Sequence, residues 1–485
     1  MLRSSRRQFL KSASLGGVAF ASGGLSLAAD RALSTPGERI NVGMIGMGGR
    51  GEKMADAFAA VPGVRLAAMC DVDSERVDAE AAKHNVAARH TNYEDLLADP
   101  SIDAVVVTTC NHWHCLAAIH AVQAGKHVYV EKPLGHDMWQ QEQLLAAVER
   151  SGKIAQIGTQ QRSDPMQGEI KRFLHEEKAL GEIQGVVACR LGPRGPIGKR
   201  AEPLQVSDSV DLDRWFGPSQ PQPLYRNELH YDWHWDWTTG DGEMGNWGVH
   251  LLDDVRNVVF RDSVRFPSSA VALGARAVWD DAGQTPNVHA MLLDCGGTPV
   301  TCVVNNLPAP KGKPKPMIEG VESGYVVYAE GGHYEGQRGK GVAYDRQGNV
   351  IRRFKGDSGH PHHAGNFVKA VRENEPSLLN APLEQGHAST AWCHYGNLAF
   401  LAGDDAPGHD ALSAAGEESA WGRTLGAVRG WMEDHGLQVD SAPFVMSDTI
   451  RVDPNTGAVR GALPEAAQQI VKRDYRDKYA IPEIA

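Results

Sequence analysis

The chain has 485 residues, of which 42% are hydrophobic and 22% are charged, as in soluble globular proteins. Its length predicts at least two domains, because single hydrophobic cores of that size are uncommon. The formal net charge of −11 argues against a nucleic-acid partner, since such binding needs a basic surface.

Residues 1–30 have the pattern of a twin-arginine signal peptide. Arg6 and Arg7 precede Phe-Leu-Lys, and the apolar, glycine-rich run Ser12–Leu27 follows. That run is too short and too rich in glycine to span a bilayer comfortably. We expect the twin-arginine export machinery to carry the folded protein to the periplasm with its cofactor already bound. A disordered basic N-terminus is the alternative.

Residues 38–160 are predicted to form a Rossmann dinucleotide-binding domain. The apolar strand Arg39–Ile45 leads into a G-x-G-x-x-G turn at 46–51, and a helical pattern comes next. In such a turn the glycines allow close approach to a pyrophosphate, which the helix N-terminus faces. Asp71 ends the next strand, where a carboxylate binds the ribose 2′-hydroxyl and repels a 2′-phosphate, so NAD is expected rather than NADP.

Two further strands deliver polar residues to the same edge of this sheet. Strand Ile102–Thr109 is followed by Asn111 and His114, and the next strand ends at Glu131-Lys132-Pro133. Because the carboxyl ends of parallel strands face the ligand crevice, we expect these residues beside the nicotinamide half of the cofactor. Helix capping is the alternative role for Asn111 and His114.

These motifs resemble those of the Gfo/Idh/MocA family, named for glucose-fructose oxidoreductase, inositol dehydrogenase and a rhizopine-catabolism protein. The resemblance extends over residues 39–400. It implies a Rossmann domain followed by an α+β domain with a large, mostly antiparallel sheet, which often forms an oligomer interface in this family, so a homo-oligomer is expected. The expected cofactor-binding residues are Gly46, Gly48, Gly49, Arg50, Gly51, Asp71, Thr108, Asn111, His114, Glu131, Lys132 and Gln160.

The resemblance implies that Lys132 is catalytic, and acid–base chemistry gives it the same role. Oxidation of an alcohol needs a base near the hydroxyl proton, while a nicotinamide cofactor takes the hydride. In a partly desolvated crevice the pKa of a lysine falls towards neutrality, because burial disfavours the ammonium form.

Residues 161–400 are predicted to form the α+β domain, and residues 401–485 a C-terminal extension that wraps the body. A helix over 388–401 is expected to pack back on the first domain. The predicted strands of the large sheet are 183–190, 270–278, 288–293, 300–305 and 324–329.

The segment His230–Trp237 combines aromatic and polar side chains. If extended, it places Trp233, Trp235 and Trp237 on one side and His234 on the other, which suits the apolar face and the hydroxyls of a sugar. A tryptophan-rich core strand is the alternative. The candidate substrate-binding residues are Arg162, Trp233, His234, Trp235, Asn246, Trp247 and His250.

His250 matches the family's second catalytic position, at which a histidine follows an aspartate by four residues. Asn246 stands in place of that aspartate, and an asparagine cannot stabilise an imidazolium by charge. Helical spacing puts Asn246, His250 and Asp254 on one face, so Asp253 or Asp254 is a candidate support for His250. Lys132 is then the main acid–base group, and an ordinary helix histidine is the alternative for His250.

No metal site is expected. The run His360-Pro361-His362-His363 suggests one, but proline breaks the ligand spacing and no acidic or cysteine partner stands nearby in the sequence. We expect a turn that precedes a helix, with one histidine reaching the site.

Three functions remain open. The leading hypothesis is an NAD-dependent oxidoreductase acting on a hydroxyl or carbonyl group of a sugar or cyclitol. The second is a redox-assisted glycosidase of the same superfamily, in which tightly held NAD oxidises C3, the glycosidic group is eliminated and the cofactor is re-reduced. The third is a non-catalytic periplasmic sugar-binding protein, which Lys132 and His250 together disfavour.

Overall fold

The computed structural model describes residues 39–484 apart from 414, 415, 417 and 418. The predicted twin-arginine signal, residues 1–30, lies outside the described residues. Residues 40–485 belong to one unit that contains both predicted domains.

The first domain is a six-stranded parallel sheet covered by helices, as the glycine motif predicts. Its strands are β1 Ile40–Ile45, β2 Val64–Cys70, β3 Ala88–His90, β4 Ala104–Val107, β5 His127–Val130 and β6 Ala155–Ile157. They lie in the order β3-β2-β1-β4-β5-β6, that of a doubly wound dinucleotide-binding sheet. Its helices are α1 Gly49–Ala59, α2 Ser74–Lys83, α3 Tyr93–Leu97, α4 His114–Gln123 and α5 Met138–Ser151.

Strands β1, β4 and β5 form the centre of this sheet. All four residues of β4 are buried and small or β-branched, as expected of a parallel strand covered on both faces. Parallel pairing sets Val107 beside both Ile45 and Val130, so the chain leaves the three strands at one edge. The glycine turn and the Glu131-Lys132 pair therefore meet there.

The second domain contains a mixed sheet of 12 strands. Its strands are β7 Ile183–Leu191, β8 Ser269–Ala275, β9 Val288–Cys295, β10 Thr298–Asn305, β11 Ser323–Ala329, β12 Gly332–Gln337, β13 Lys340–Asp345, β14 Val350–Lys355, β15 Asp404–Pro407, β16 Pro443–Met446, β17 Ile450–Val452 and β18 Val459–Arg460. Strands β7 and β10 pair in parallel, whereas their other partners are antiparallel. The predicted large, mostly antiparallel sheet is confirmed.

Helices cover both faces of this sheet. The helices that follow the first domain in the chain are α6 Pro165–Lys171, α7 Leu212–Phe216, α8 Val249–Val258, α9 His360–Glu373, α10 Leu383–Ala402, α11 Gly408–Leu412, α12 Ala420–Asp434 and α13 Glu465–Val471. Two of them do not cover the large sheet: α9 packs in the core of the parallel sheet through Phe367 and Val371, and α7 packs in a separate small cluster. Alternate residues of β10 take opposite sides: Val304 joins the core with α8 and α10, and Val303 joins the core with α11 and α12.

Residues 401–485 do more than wrap the body, because β15 to β18 extend the large sheet. Strands β16 and β17 both pair with β8, which would otherwise be the edge strand of the large sheet. Leu425 and Val428 of α12 pack on the face of β7 to β10. Strands β12 to β14 also lie outside the predicted set.

Helix α10 contributes to both cores. Leu383 lies in the core of the Rossmann domain, whereas Trp392 and Leu398 lie in the core between the large sheet and α8. The helix predicted over 388–401 packs on both domains: Thr390 accepts a hydrogen bond from the Leu134 backbone N–H of the first domain, and His394 contacts Gln141 of α5.

Two local predictions are wrong. The segment His230–Trp237 is not extended, because Tyr231 has a φ of +70° and Asp232–Trp235 form a 3-10 helix. Alternate side chains therefore do not share a side. His360–His363 form the first turn of α9 instead of a turn before it, since proline is well tolerated at a helix start.

Among the described residues, no helix is long and apolar enough to cross a membrane. The same residues bring together no group of three or more histidine, cysteine, aspartate or glutamate side chains suited to a metal ion. The seven cysteines are free thiols, and all but Cys110 are buried.

Candidate active site

A cavity of about 1090 Å³ lies along the carboxyl edge of the parallel sheet. It runs from the glycine turn and Asp71 past Lys132 to His250 on α8, so both domains line it. Single ligand pockets measure about 300–1000 Å³, so this cavity has room for a dinucleotide together with a small substrate.

The glycine turn fits a pyrophosphate because it leaves no room for side chains. Gly46 has a φ of +92°, and a Cβ there would lie 2.8 Å from the Thr108 backbone. A Cβ on Gly51 would lie 1.9 Å from the Gly46 carbonyl oxygen, so both positions require glycine. Helix α1 begins at Gly49, which lines the cavity together with Arg50, so the helix N-terminus faces the ligand space.

The Thr108 side chain fixes this turn to the end of β4. Its hydroxyl lies 2.6 Å from the Gly46 carbonyl oxygen and 3.1 Å from that of Ile45. Gly48 keeps the turn open on the other side, because a Cβ there would lie 2.9 Å from the Arg76 guanidinium.

Asp71 lies just beyond β2, at the predicted ribose position. Its carboxylate accepts hydrogen bonds from the backbone N–H groups of Met47 at 2.5 Å and Asp73 at 2.9 Å. Burial raises the pKa of Asp71, and these two bonds and Arg76 oppose that rise. A carboxylate so placed suits a ribose 2′-hydroxyl and not a 2′-phosphate, as in NAD.

Glu131 connects the glycine turn to the strand that carries Lys132. Its carboxylate accepts hydrogen bonds from Arg50 at 2.6 Å and from the Gln160 amide at 3.0 Å. Burial alone would raise the pKa of Glu131, but the charges of Arg50 and Lys132 lower it, so the group is an anion. The side chain of Glu131 is 4% exposed and that of Arg50 is 32% exposed, so the guanidinium keeps an open side.

Lys132 projects from the end of β5 into the middle of the cavity. Its Nζ donates to the backbone carbonyl oxygen of Asn246 at 2.8 Å and to the side-chain oxygen of Asn246 at 3.1 Å. Burial lowers the pKa of Lys132 to about 8. A lysine of that pKa has a substantial neutral fraction near neutral pH and can take a proton from a hydroxyl group.

Asn111 and His114 line the cavity, and neither side chain caps a helix. The His114 ring nitrogens lie 2.7 Å from the Pro133 carbonyl oxygen and 3.0 Å from that of Thr109. The Asn111 amide donates to Asp241 at 2.8 Å. His114 thus holds the turn that follows the lysine, and Asn111 connects the cavity wall to the second domain.

His250 lies beside Trp247, with ring centres 5.8 Å apart. Burial, and then the charges of Arg338 and Lys132, lower the pKa of the imidazole well below its ordinary value. The ring is therefore neutral near pH 7 and offers one donor and one acceptor. Within the described part of the chain it makes no hydrogen bond, so both nitrogens are available to a ligand.

Neither Asp253 nor Asp254 supports His250, which corrects that expectation. Asp253 forms an ion pair with Arg162 at 2.8 Å, and Asp254 accepts a hydrogen bond from Gln161. Both carboxylates are therefore bound by residues that follow β6, namely Arg162 and Gln161.

Asn246 faces Lys132 instead of His250. It lies in a π-helical turn, Met244–Gly248, whose wider spacing breaks the four-residue stacking expected of an α-helix. The Asn246 amide nitrogen donates to Glu243 at 3.3 Å, while its oxygen accepts from Lys132. This asparagine therefore positions the lysine.

Arg162, a candidate substrate residue, lies outside the cavity lining. Its Nε donates to Asp253, and its two terminal nitrogens donate to Asp262 at 2.9 Å each. With only 3% of its side chain exposed, Arg162 holds the segment after β6 against α8. Its position therefore gives no support to a substrate role.

Besides His250, three of the predicted aromatic and histidine contacts line the cavity: Trp233, His234 and Trp247. Trp233 and His234 stack with ring centres 3.6 Å apart, which gives a flat wall. Trp235 is 4% exposed and does not line the cavity, so it has the core-packing role that was the alternative.

Sequence patterns missed several residues that line the cavity. These are Trp113, Tyr231, Arg338, Lys478 and Tyr479. The histidine-rich run was expected to bring one histidine to the site, and two of its histidines, His360 and His363, line the cavity. Arg338 lies in the turn between β12 and β13, and Tyr479 in the C-terminal segment, where no local motif marks a site.

Comparisons with known proteins agree with this geometry. Residues 40–159 match the GFO_IDH_MocA family model, described as an oxidoreductase family with an NAD-binding Rossmann fold. A glycosyl hydrolase family 109 protein of Solibacter usitatus is 36% identical over 152 residues, which are 27% of this chain and 34% of that protein. Inositol 2-dehydrogenase of Salmonella typhimurium is 30% identical over 138 residues, which are 28% of this chain and 41% of that protein.

A solved structure resembles most of the chain. Levoglucosan dehydrogenase in complex with NADH aligns with a TM-score of 0.56 and 16% identity, over 74% of this chain and 96% of that one. At this identity the likeness concerns the fold.

The chain spans between 34% and 50% of the length of the first three curated relatives it matches. The glycine turn, Asp71 and the Glu131-Lys132 pair all lie within the residues that the family model matches. Residues 40–159 are therefore similar to the NAD-binding Rossmann domain of Gfo/Idh/MocA oxidoreductases, and the cofactor that suits this domain is NAD.

Proposed function

We propose that this protein transfers hydride between tightly bound NAD and a hydroxyl or carbonyl carbon of a sugar or cyclitol. The observation that carries the proposal is the amine of Lys132, which has a lowered pKa and lies between the cofactor turn and His250. The relatives named inositol 2-dehydrogenase and levoglucosan dehydrogenase support a polyol or sugar substrate.

The residues of the chain bind the substrate and move its proton. When bound, NAD accepts the hydride from the carbinol carbon as that carbon becomes a carbonyl. Neutral Lys132 accepts the hydroxyl proton, and in the reverse direction its ammonium form returns one. The two open nitrogens of His250 hold a substrate hydroxyl, and Trp233 covers an apolar face of the ring.

Release of nucleotide and turnover test this proposal together. Denaturing the purified protein should release NAD, and adding sugars and cyclitols should convert the bound NAD to NADH. Protein that neither releases NAD nor binds added NAD would contradict the proposal, as would normal turnover by Lys132→Ala.

A redox-assisted glycosidase is the second candidate. The relatives named glycosyl hydrolase family 109 proteins favour it, at 36% identity over 152 residues. In that reaction oxidation of the C3 hydroxyl to a ketone would make the C2 proton acidic. A base then removes that proton and the glycosidic group leaves from C1. Water adds at C1, and reduction of the C3 ketone would return the cofactor to its oxidised form. Release of nitrophenol from nitrophenyl glycosides without net NADH would support it, whereas NADH formation from free sugars alone would favour the dehydrogenase.

We also propose export through the twin-arginine route, on the basis of Arg6 and Arg7, and association into a homo-oligomer. Helices α11 and α12 cover β7 to β10, so we place the oligomer contact on β12 to β14. Fractionation of cells that express Arg6→Lys/Arg7→Lys protein tests the first point. Light scattering of the purified protein tests the second.

A further inference from the structure

Arg338 brings a positive charge to the substrate end of the cavity. It lies in the turn between β12 and β13 and lines the cavity with Lys132 and His250. It is close enough to both that, after burial, its charge contributes to the lowered pKa of each group. A role for Arg338 in substrate binding rests on the proposed function of this site.

The guanidinium of Arg338 is held with one edge free. The Nε of Arg338 donates to the Gln161 side-chain oxygen at 2.6 Å, and its guanidinium carbon, Cζ, lies 4.4 Å from the centre of the Trp247 ring. Gln161 is itself fixed, because its amide donates to Asp254. Within the described residues the two terminal nitrogens of Arg338 make no hydrogen bond or ion pair.

No carboxylate reaches the two terminal nitrogens of Arg338 within the described residues: Asp254 attracts its charge, but it accepts hydrogen bonds from Gln161 and Gln167. The carboxylates that line the cavity, Glu52, Asp71, Glu94 and Glu131, all come from the Rossmann domain, and Glu131 is paired with Arg50. Among the described residues the second domain contributes no carboxylate to the lining. Arg190 adds a second cation, with its guanidinium 4.2 Å from the same Trp247 ring and its Nε buried without a hydrogen-bond partner.

We propose that Arg338 binds an anionic group of the substrate, a carboxylate or a phosphate, so that the substrate is an acidic sugar. Two parallel N–H donors on a fixed plane match the two oxygens of either group. A neutral polyol would give the two terminal nitrogens of this partly buried cation no charged acceptor, which leaves their charge poorly compensated. The pyrophosphate of NAD is the competing anion, but the glycine turn and the start of α1 already provide its site.

Sugars matched at C6 test the proposal on the NAD-loaded protein. D-glucose, D-glucuronate and D-glucose 6-phosphate differ only in the group at that position, and the corresponding galactose series covers a second configuration. Binding is measured by calorimetry and turnover by NADH formation. At least one acidic sugar should bind about 10- to 100-fold more tightly than its neutral counterpart, and the preferred acid identifies the anion as carboxylate or phosphate.

Arg338→Gln should remove this advantage, so that acidic and neutral sugars bind about equally, and should leave the amount of bound NAD unchanged. Arg460→Gln is the matched control, since Arg460 lies on β18 of the same sheet and pairs with Asp453 at the surface. Equal binding of acidic and neutral sugars by the unaltered protein would overturn the proposal. Loss of NAD from Arg338→Gln would overturn it too, and would assign the guanidinium to the cofactor.

The two proposals can fail separately. Acid-selective binding that depends on Arg338, without NADH formation, would refute the oxidoreductase function and keep the anion site. NADH formation without any preference for acidic sugars would refute the anion site and keep the oxidoreductase function.

Discussion

The Nζ of Lys132 and the backbone carbonyl oxygen of Asn246 lie 2.8 Å apart, which connects the end of β5 to the turn before α8. The ammonium form donates to this oxygen and to the Asn246 side chain, whereas burial favours the neutral amine. The protonation state of Lys132 therefore depends on the position of the second domain.

The pH profile should report Lys132. Its pKa of about 8 means that the neutral base predominates above pH 8, so kcat/KM for oxidation should rise with pH and level off above that value. For reduction the ammonium is the acid, and the rate should fall over the same range. Initial rates between about pH 6 and pH 10 at constant ionic strength check this, and a profile without a transition near 8 would contradict it.

Asn246→Asp should move that profile to higher pH. A carboxylate beside the Lys132 ammonium stabilises the charged form, so the apparent pKa should rise by about 1 unit or more. Asn257→Asp is the matched control, because Asn257 lies on the adjoining helix α8 and contacts a different lysine, Lys171, at 3.1 Å. An unshifted profile in Asn246→Asp would show that the asparagine does not govern the lysine.

Lys132→Arg should reduce kcat about 10²- to 10⁴-fold although it keeps the positive charge, because an arginine cannot act as a base at these pH values. The amount of NAD released on denaturation should stay the same. Lys171→Arg serves as the control, and its turnover should match that of the unaltered protein. Near-normal kcat in Lys132→Arg would mean that another group accepts the proton.

Arg162 should matter for stability. Arg162→Met leaves Asp253 buried without its partner, at a cost of about 3–5 kcal/mol. Arg89→Met removes a surface pair with Asp78 whose side chains are 42% and 61% exposed, and should cost about 0–1 kcal/mol. Thermal unfolding separates the two. A raised KM in Arg162→Met with an unchanged Tm would instead show that this arginine binds the substrate.

Tyr479 should slow the escape of NAD. Its ring packs on Trp113 with centres 5.4 Å apart, its hydroxyl donates to Asp213 at 3.2 Å, and it lines the cavity. Tyr479→Ala should therefore release NAD faster in dialysis. Tyr475→Phe, which loses a contact with Asp137 away from the cavity, should retain it.

The parts of the site that depend on local chain geometry could be predicted. The glycine turn, Asp71 and Glu131-Lys132 each follow a buried parallel strand, so the sheet brings them together whatever the rest of the chain does. Arg338 could not be predicted, because its position depends on the pairing of β12 with β13, which no nearby motif records. The tryptophan segment failed because the positive φ of Tyr231 starts a 3-10 turn that a period of two cannot indicate.

The C-terminal segment also fixes an order of events during synthesis. Arg473 donates to the His136 and Trp237 carbonyl oxygens, and Lys478 and Tyr479 form part of the cavity wall. The ribosome makes these residues after every other part of that wall. The parallel sheet can therefore form while translation continues, but the cavity wall is complete only when these residues have emerged. Binding of the cofactor in the completed cavity is thus a late step in the maturation of this protein.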